Sequence, residues 1–550
     1  MRTPSKFYVQ ARRWSLGVLL AAAGLAGTVA QAQGLALGKQ GLELLDAQGR
    51  VSDRVAMRIK RWDQRRDVQG SLLAVAQDAD SGRLLLLRSD AAGSGARLRE
   101  LARWPGPDFA PEQLCLYRDA QGLLQLFLLG KDGLSEQWLL DEGGRRAPQA
   151  LRQLSTPPNA AACRVRDGEA ALYVAEPGVG LWRYAADPER SERELVQFDS
   201  QADARALAHR LEDWLAAQPP RLPAMAQVAI VKPSAQTPPV RGHGDAADDP
   251  AIWVHPRQGA RSLILGTDKK LGLAVYDLQG RERQFLPVGR INNVDLRQGL
   301  RYGRERLDLA VATQRDEKAL VLFGISQRDG RVRELARLGA GLDDIYGICV
   351  GRNAEGGLDA FPNDKDGRVR QLRLSRDERS GRWSAALVRE LRLPSQPEGC
   401  VVDEAKHQLF VGEEKRGIWR IALGADTGTA DPVLAVPVSE ALHADVEGMA
   451  IHASAKGRLL VVSSQGSDSY AVYDADAPYA LRGTFRIGIN AERGIDAASE
   501  TDGLDVTAAN LGGPYREGLL VVQDGHKRLP QGRQNFKLVP WSEVAGKLGL

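Results

Sequence analysis

From residue 245 onward, short apolar runs alternate with polar punctuation, and the alternation repeats. An acidic or amide-bearing start leads into an apolar run at Asp249, at Asn293 to Asp295, and at Asp344, Glu398, Glu447 and Asp502. A second run then ends on a polar tip at Asp268, Gln314, Asp364, Glu413, Gln465 and Asp524. Apolar runs of this length bounded by Gly, Asn and Asp predict strands. The tips recur about every 50 residues, which suits propeller blades and is too long for most helical repeats. Six starts and six tips predict six blades around one axis, with the tips converging at one end of the channel. The expected fold is all-β: a six-bladed β-propeller over residues 225–550, preceded by a partial propeller-like domain over residues 33–198.

That first half repeats the second in weakened form. LCLYRDAQGLLQLFLLGKDGLSEQWLL (114–140) aligns without a gap on ICVGRNAEGGLDAFPNDKDGRVRQLRL (348–374), and GLELLDAQGR (41–50) echoes GLAVYDLQGR (272–281). ACRVRDGEAALYVAEPGVGLWRY (162–184) likewise follows GCVVDEAKHQLFVGEEKRGIWRI (399–421). About four blade units are expected. Ala161 and Pro177 stand where the second half has Glu398 and Glu414, whereas Lys39 and Lys131 match Lys270 and Lys365. Losing carboxylates while keeping lysines leaves two readings open, a phosphate-binding or docking module and a structural remnant. Between the halves, Ala204, Leu207, Leu211, Trp214 and Leu215 recur at helical spacing and predict an amphipathic helix over residues 202–217. Pro219 and Pro220 stop it, so residues 199–224 read as helix and Pro-rich linker. The second domain is expected to begin near Met225 with a strand that closes the ring.

Composition narrows the chemistry. With 550 residues the chain exceeds one ordinary core, and 74 Lys+Arg nearly cancel 70 Asp+Glu, which gives no reason to invoke nucleic acid. Arg2, Lys6, Arg12 and Arg13 precede an uncharged segment ending in Ala30-Gln31-Ala32, a pattern that predicts a secretory signal cleaved after Ala32. The twin-arginine route stays open. A periplasmic or extracellular protein is expected, with no membrane association in mature form. Cys115 and Cys163 occupy places equivalent to Cys349 and Cys400, so each pair is expected to form a disulfide, with four buried thiols as the alternative. Seven scattered histidines show no zinc spacing, and neither GxSxG nor GK[ST] occurs.

What remains is oxygen. Asp248, Asp249, Glu398, Glu414, Asp445, Glu447, Gln465, Glu500, Asp502 and Asp524 form the set from which a fold could gather the six to eight oxygens that calcium takes. Lys269, Lys270, Arg290, Arg315 and Lys365 sit at or near matching tips. Bridging calcium and these cations together would bind a densely anionic molecule. Tyr346 could supply a hydroxyl ligand or hydrogen bond, or belong to the core.

DAADDPAIW (245–253), KKLGLAVYDLQG (269–280), INNVDLR (291–297), EGCVVDE (398–404) and DVEGMAI (445–451) resemble the β-propeller phytases, as do SSQGSDSYAVY (463–473), SETDGLDV (499–506) and QNFKLVPW (534–541). The likeness covers nearly all of residues 240–545. Over the first half it is partial and resembles the incomplete propeller of dual-domain members. The resemblance implies hydrolysis of phytate, myo-inositol hexakisphosphate, with several calcium ions. It also implies that a calcium-bridged water attacks one phosphate directly while an adjacent site holds a neighbouring phosphate. Carried onto matching positions, Asp248, Glu398, Glu414, Asp445, Glu447, Gln465 and Asp502 are expected calcium ligands, and Lys269, Lys270, Arg315, Tyr346 and Lys365 are expected to face the phosphates. Tyr346, Glu398, Glu414 and Lys269 form the expected catalytic group, and a monomer is expected. One acidic position that the family can place upstream is missing from AQTPPV (235–240). A calcium-dependent polyanion-binding module without turnover is the alternative function.

Overall fold

A computed structural model describes residues 34–550 except 47, 68, 90–95, 202, 220–227, 354 and 424–431. The expected signal, Ala202 and Met225 therefore lie outside the described residues.

In the second half the repeated starts and tips bracket six pairs of strands. These are Ala247–Trp253 with Leu263–Asp268, Ile291–Tyr302 with Glu305–Gln314, and Ile345–Arg352 with Leu358–Asp364. Then come Pro397–Asp403 with Gln408–Glu413, Val446–Ser454 with Gly457–Ser464, and Leu504–Thr507 with Leu519–Asp524. Each pair begins an antiparallel sheet of at least four strands. The first strand of each sheet lies against the first strand of the next, and Leu504–Thr507 returns against Ala247–Trp253, which makes a closed ring of six blades.

Aspartates on these inner strands staple the ring. Asp249 Oδ2 accepts Val294 N (3.0 Å), Asp295 Oδ2 accepts Val350 N (2.8 Å) and Asp505 Oδ2 accepts Ile252 N (2.7 Å). Each carboxylate satisfies a backbone donor that has no ladder partner across the gap between sheets. Closure uses two short strands rather than the single one expected. Ala229–Val231 adds in parallel to Leu481–Ile487, and Ala235–Gln236 pairs antiparallel with Asn535–Pro540.

The first half holds a three-stranded sheet, Gly34–Ala56, and then three four-stranded sheets that begin at Ile59, Pro111 and Ala162. It keeps the staple. Asp63 Oδ2 accepts Leu116 N (2.8 Å), and Arg65 bridges Asp63 (3.2 Å) and Asp167 (2.9 Å) as Arg297 bridges Asp295 (3.0 Å) and Glu404 (2.7 Å). Cys115–Cys163 and Cys349–Cys400 are disulfides that join inner strands of adjacent sheets, with Cα atoms 6.2 and 5.6 Å apart. Among the described residues no cysteine is free, which removes the buried-thiol alternative.

The helix spans Ala204–Ala217, capped by Asp203, whose side chain accepts Ala206 N (2.7 Å). It does not act as a spacer. Leu207, Leu211 and Leu215 are buried against Ala162, Ala171, Tyr173, Ala175 and Leu181, so the helix covers the last sheet of the first half.

Candidate active site

A repeated glycine draws the site together. Tyr346, Glu398, Glu447 and Asp502 are each followed by Gly, and a Cβ on any of these glycines would strike the neighbouring blade. On Gly347 it would lie 2.0 Å from Glu398 O, on Gly399 2.3 Å from Glu447 O, and on Gly448 2.7 Å from Leu504 N. On Gly503 it would lie 2.5 Å from Asp249 Cα. Only glycine lets consecutive inner strands approach this closely. Gly448 N then donates to Asp502 O (2.7 Å) and Gly503 N to Asp248 O (3.2 Å). The side chain preceding each glycine is thereby carried to one end of the channel.

Glu398, Glu414 and Glu447 each bring a carboxylate oxygen there, all within 4.8 Å of one another. Glu398 and Glu447 are buried, and Glu414 is half-buried. Asp248 is fully buried, and among the described residues neither of its oxygens takes a hydrogen bond; Glu447 Oε2 takes none either. Asp248 pairs with Lys269 Nζ at 3.1 Å, which also lies 2.8 Å from Asp245 and 2.8 Å from Asp502. Gln465 Nε2 donates to the other Asp502 oxygen (2.6 Å). On the far side, Lys365 Nζ sits 4.3 Å above the Tyr346 ring and Arg315 Cζ 5.6 Å from it. Arg315 donates to Asn292 Oδ1 (3.4 Å), and Asn292 Nδ2 donates to Glu398 Oε1 (3.0 Å).

Crowded acids out of water resist ionisation. Burial, then the charges of Asp248 and Asp502, push Glu398 up to about 8. Burial and Glu398 raise Glu447 well above the carboxylate range. Burial and Asp248 lift Asp502 to about 7 despite Lys269. For Lys269, burial favours the neutral amine, but Asp248 and Asp502 outweigh it and hold the ammonium charged. Burial, then Glu398, Asp248 and Glu447, keeps the Tyr346 hydroxyl protonated. Buried, unpartnered carboxylate oxygens in this number, with amide and carbonyl oxygens around them, suit a hard divalent cation.

Not every expected residue joins the cluster. Asp249 lines the channel wall and accepts Val294 N, while the strand pairing is irregular between Ala247 and Pro250, where Asp248 and Asp249 lie. Asp524 is fully buried as the partner of Lys537 (2.6 Å) and also accepts His526 N (3.1 Å), which leaves it no free role as a metal ligand. Arg290 is exposed and paired with Asp316 (3.2 Å), although its carbonyl accepts Arg315 N (2.8 Å). Lys270 is exposed beside Asp268. Asp445 faces Glu414 and raises it further after burial has done so, and Glu500 is exposed with His526 at 3.6 Å. The amides Asn292 and Gln396, which donates to Glu414 Oε1, were not among the expected residues. Nor was Asn363, whose Nδ2 donates to Glu398 O (2.7 Å) and whose Oδ1 accepts Gly347 N (2.8 Å). Asn292 stands beside the start at Asn293, Gln396 two positions before Glu398 and Asn363 beside the tip at Asp364, and these placements were the available signal.

Comparison with known proteins places these features in context. The Phytase family matches residues 214–550. A 3-phytase from Bacillus subtilis (strain 168) is 34% identical over 325 residues, which is 57% of this chain and 84% of that one. A functionally unknown protein from Desulfotomaculum acetoxidans DSM 771 superposes at TM-score 0.32 with 11% identity, over 66% of this chain and 91% of that one. Saccharomyces cerevisiae Sqt1 superposes at TM-score 0.28 with 9% identity, over 74% and 97% respectively.

Proposed function

Because the chain belongs to the β-propeller phytase family and is thus a phosphoric monoester hydrolase, we propose that it hydrolyses phytate with calcium held at the channel mouth. Glu398, Glu414, Asp445, Glu447, Gln465, Asp248 and Asp502 would hold the ions. Calcium held there would supply positive charge that lets an acidic mouth accept phosphate and would lower the pKa of water.

The chain's own side chains supply the rest. Arg315 and Lys365, spread over the Tyr346 ring, offer cations to phosphate oxygens. Tyr346 keeps its proton and can donate it in a hydrogen bond to a phosphate oxygen. Asn292 links Arg315 to Glu398 by hydrogen bonds and so fixes the cation relative to the acid. With both cysteine pairs oxidised, no thiol is available among the described residues to form a phospho-enzyme. Disulfides also suit an exported protein. No helix among the described residues is long and apolar enough to cross a membrane.

The observation that carries this reading is the convergence of Glu398, Glu414 and Glu447 beside a fully buried Asp248 paired with Lys269, with Arg315 and Lys365 over Tyr346. Phosphate release from phytate should require calcium and stop in chelator. Full release after exhaustive chelation would refute it, and calcium-dependent binding of phytate without release would mark a polyanion-binding module instead.

A further inference from the structure

The loop of residues 186–190, between strands Gly180–Ala185 and Arg193–Phe198 of the first half, reaches into the second. Asp187 Oδ2 lies 3.2 Å from Arg486 Nη1, and Arg190 Nη1 lies 4.0 Å from Asp468 Oδ2. Glu189, only 4% exposed, accepts Ser499 Oγ (2.9 Å) on one oxygen, with Arg528 Nε at 3.9 Å. The loop is fixed from behind. Buried Arg152 donates to Ala185 O (2.7 Å), Pro188 O (3.4 Å) and Arg190 O, and Gln137 Nε2 donates to Ala186 O (2.8 Å).

What the loop grips is the underside of the active site. Asp468 ends the turn that starts at Gln465, and Asp468 Oδ1 accepts Glu500 N (2.9 Å). Ser499 and Glu500 lead directly into Asp502, whose carboxylate accepts Gln465 Nε2 (2.6 Å). The two segments 465–468 and 499–502 are thus tied together at the mouth by Gln465 and Asp502 and below by Asp468 and Glu500. Gln121 of the first half holds the far end of the same connection, accepting Ile489 N (2.8 Å) and donating to Ile489 O (3.1 Å). A carboxylate buried across a junction is costly unless paired, so Glu189 acts as a built contact rather than an incidental one.

We propose that Asp187, Glu189 and Arg190 are positioning residues, through which the first half holds the Gln465 turn and the Asp502 segment in the geometry that binds calcium. This rests on the calcium-dependent reading above. It gives the first half a role other than phosphate capture or inert remnant.

The test uses the full chain carrying Asp187→Ala with Glu189→Ala, compared with Glu189→Gln, whose amide oxygen still accepts from Ser499. Hydrogen exchange of segments 465–468 and 499–502 in chelated protein should accelerate in the double variant, and equilibrium calcium affinity should fall by about 2- to 30-fold, the span of such couplings. At saturating calcium, kcat should stay near the parent's, and Glu189→Gln should resemble the parent throughout. A folded double variant with parental exchange and parental calcium affinity would overturn the proposal. If the parent neither binds calcium nor releases phosphate, the functional reading fails while the exchange comparison still decides the brace. Should the double variant not fold, Ser499→Ala removes only the hydroxyl and is expected to give the same exchange change; parental exchange there would equally overturn it.

Discussion

Lys365 and Glu447 separate two kinds of contribution at the mouth. Lys365 stands over Tyr346 among the cations, so Lys365→Ala should raise KM for phytate about tenfold with a smaller change in kcat, as steady-state kinetics would show. Glu447 Oε2 is buried and takes no hydrogen bond among the described residues, and Glu447→Gln keeps its volume while removing its charge. Calcium affinity measured by titration calorimetry should fall about 10- to 100-fold, and unchanged affinity would remove Glu447 from the ligand set. At this scale the sequence was legible only in part. Asp248 and Asp249 are adjacent and chemically alike, yet Asp248 pairs with Lys269 while Asp249 accepts Val294 N, at an irregularity of the strand pairing that composition does not announce. Asp524 sat at a repeat tip like the others, but Lys537, distant in sequence pattern, claims it within the last blade.

Strands were easier to read than the packing between them. Five of the six tips coincide with the last residue of a second strand, and Gln465 follows its strand by one position because a tight turn, Gln465–Ser467, begins there. Alternation and turn residues are local signals, whereas the closeness of one blade to the next is not. The acid–glycine pairs carried that information: glycine after Glu398, Glu447 and Asp502 marks where inner strands touch. Gly448→Ala would push Cβ to 2.7 Å from Leu504 N and 2.8 Å from Asp502 O, neither of which can yield without moving Asp502. Thermal unfolding should report a loss of about 1–3 kcal/mol, and kcat should fall about 10- to 100-fold as the ligands separate. The helix Ala204–Ala217 shows the converse case. Its period announced a helix, but nothing local revealed that Leu207, Leu211 and Leu215 would cover the first half's last sheet.

Over the whole molecule, duplication has kept the scaffold and changed the rim. Asp63, Arg65 and Asp167 reproduce the channel staple of Asp295, Arg297 and Glu404, and each half retains one disulfide between inner strands. Ala161 and Pro177 meanwhile stand where the second half has Glu398 and Glu414. The second half closes its own ring through Ala235–Gln236, so residues 225–550 alone should fold and release phosphate from phytate, with a higher calcium requirement than the full chain. A folded fragment with no activity at any calcium level would show that the first half completes the site. The most direct measurement is anomalous diffraction from crystals of the full chain grown with calcium. Peaks 2.3–2.6 Å from oxygens of Glu398, Glu414, Glu447, Asp248 and Asp502 are expected, the distances calcium keeps to oxygen. Clear density for these side chains with no ion among them would contradict the assignment.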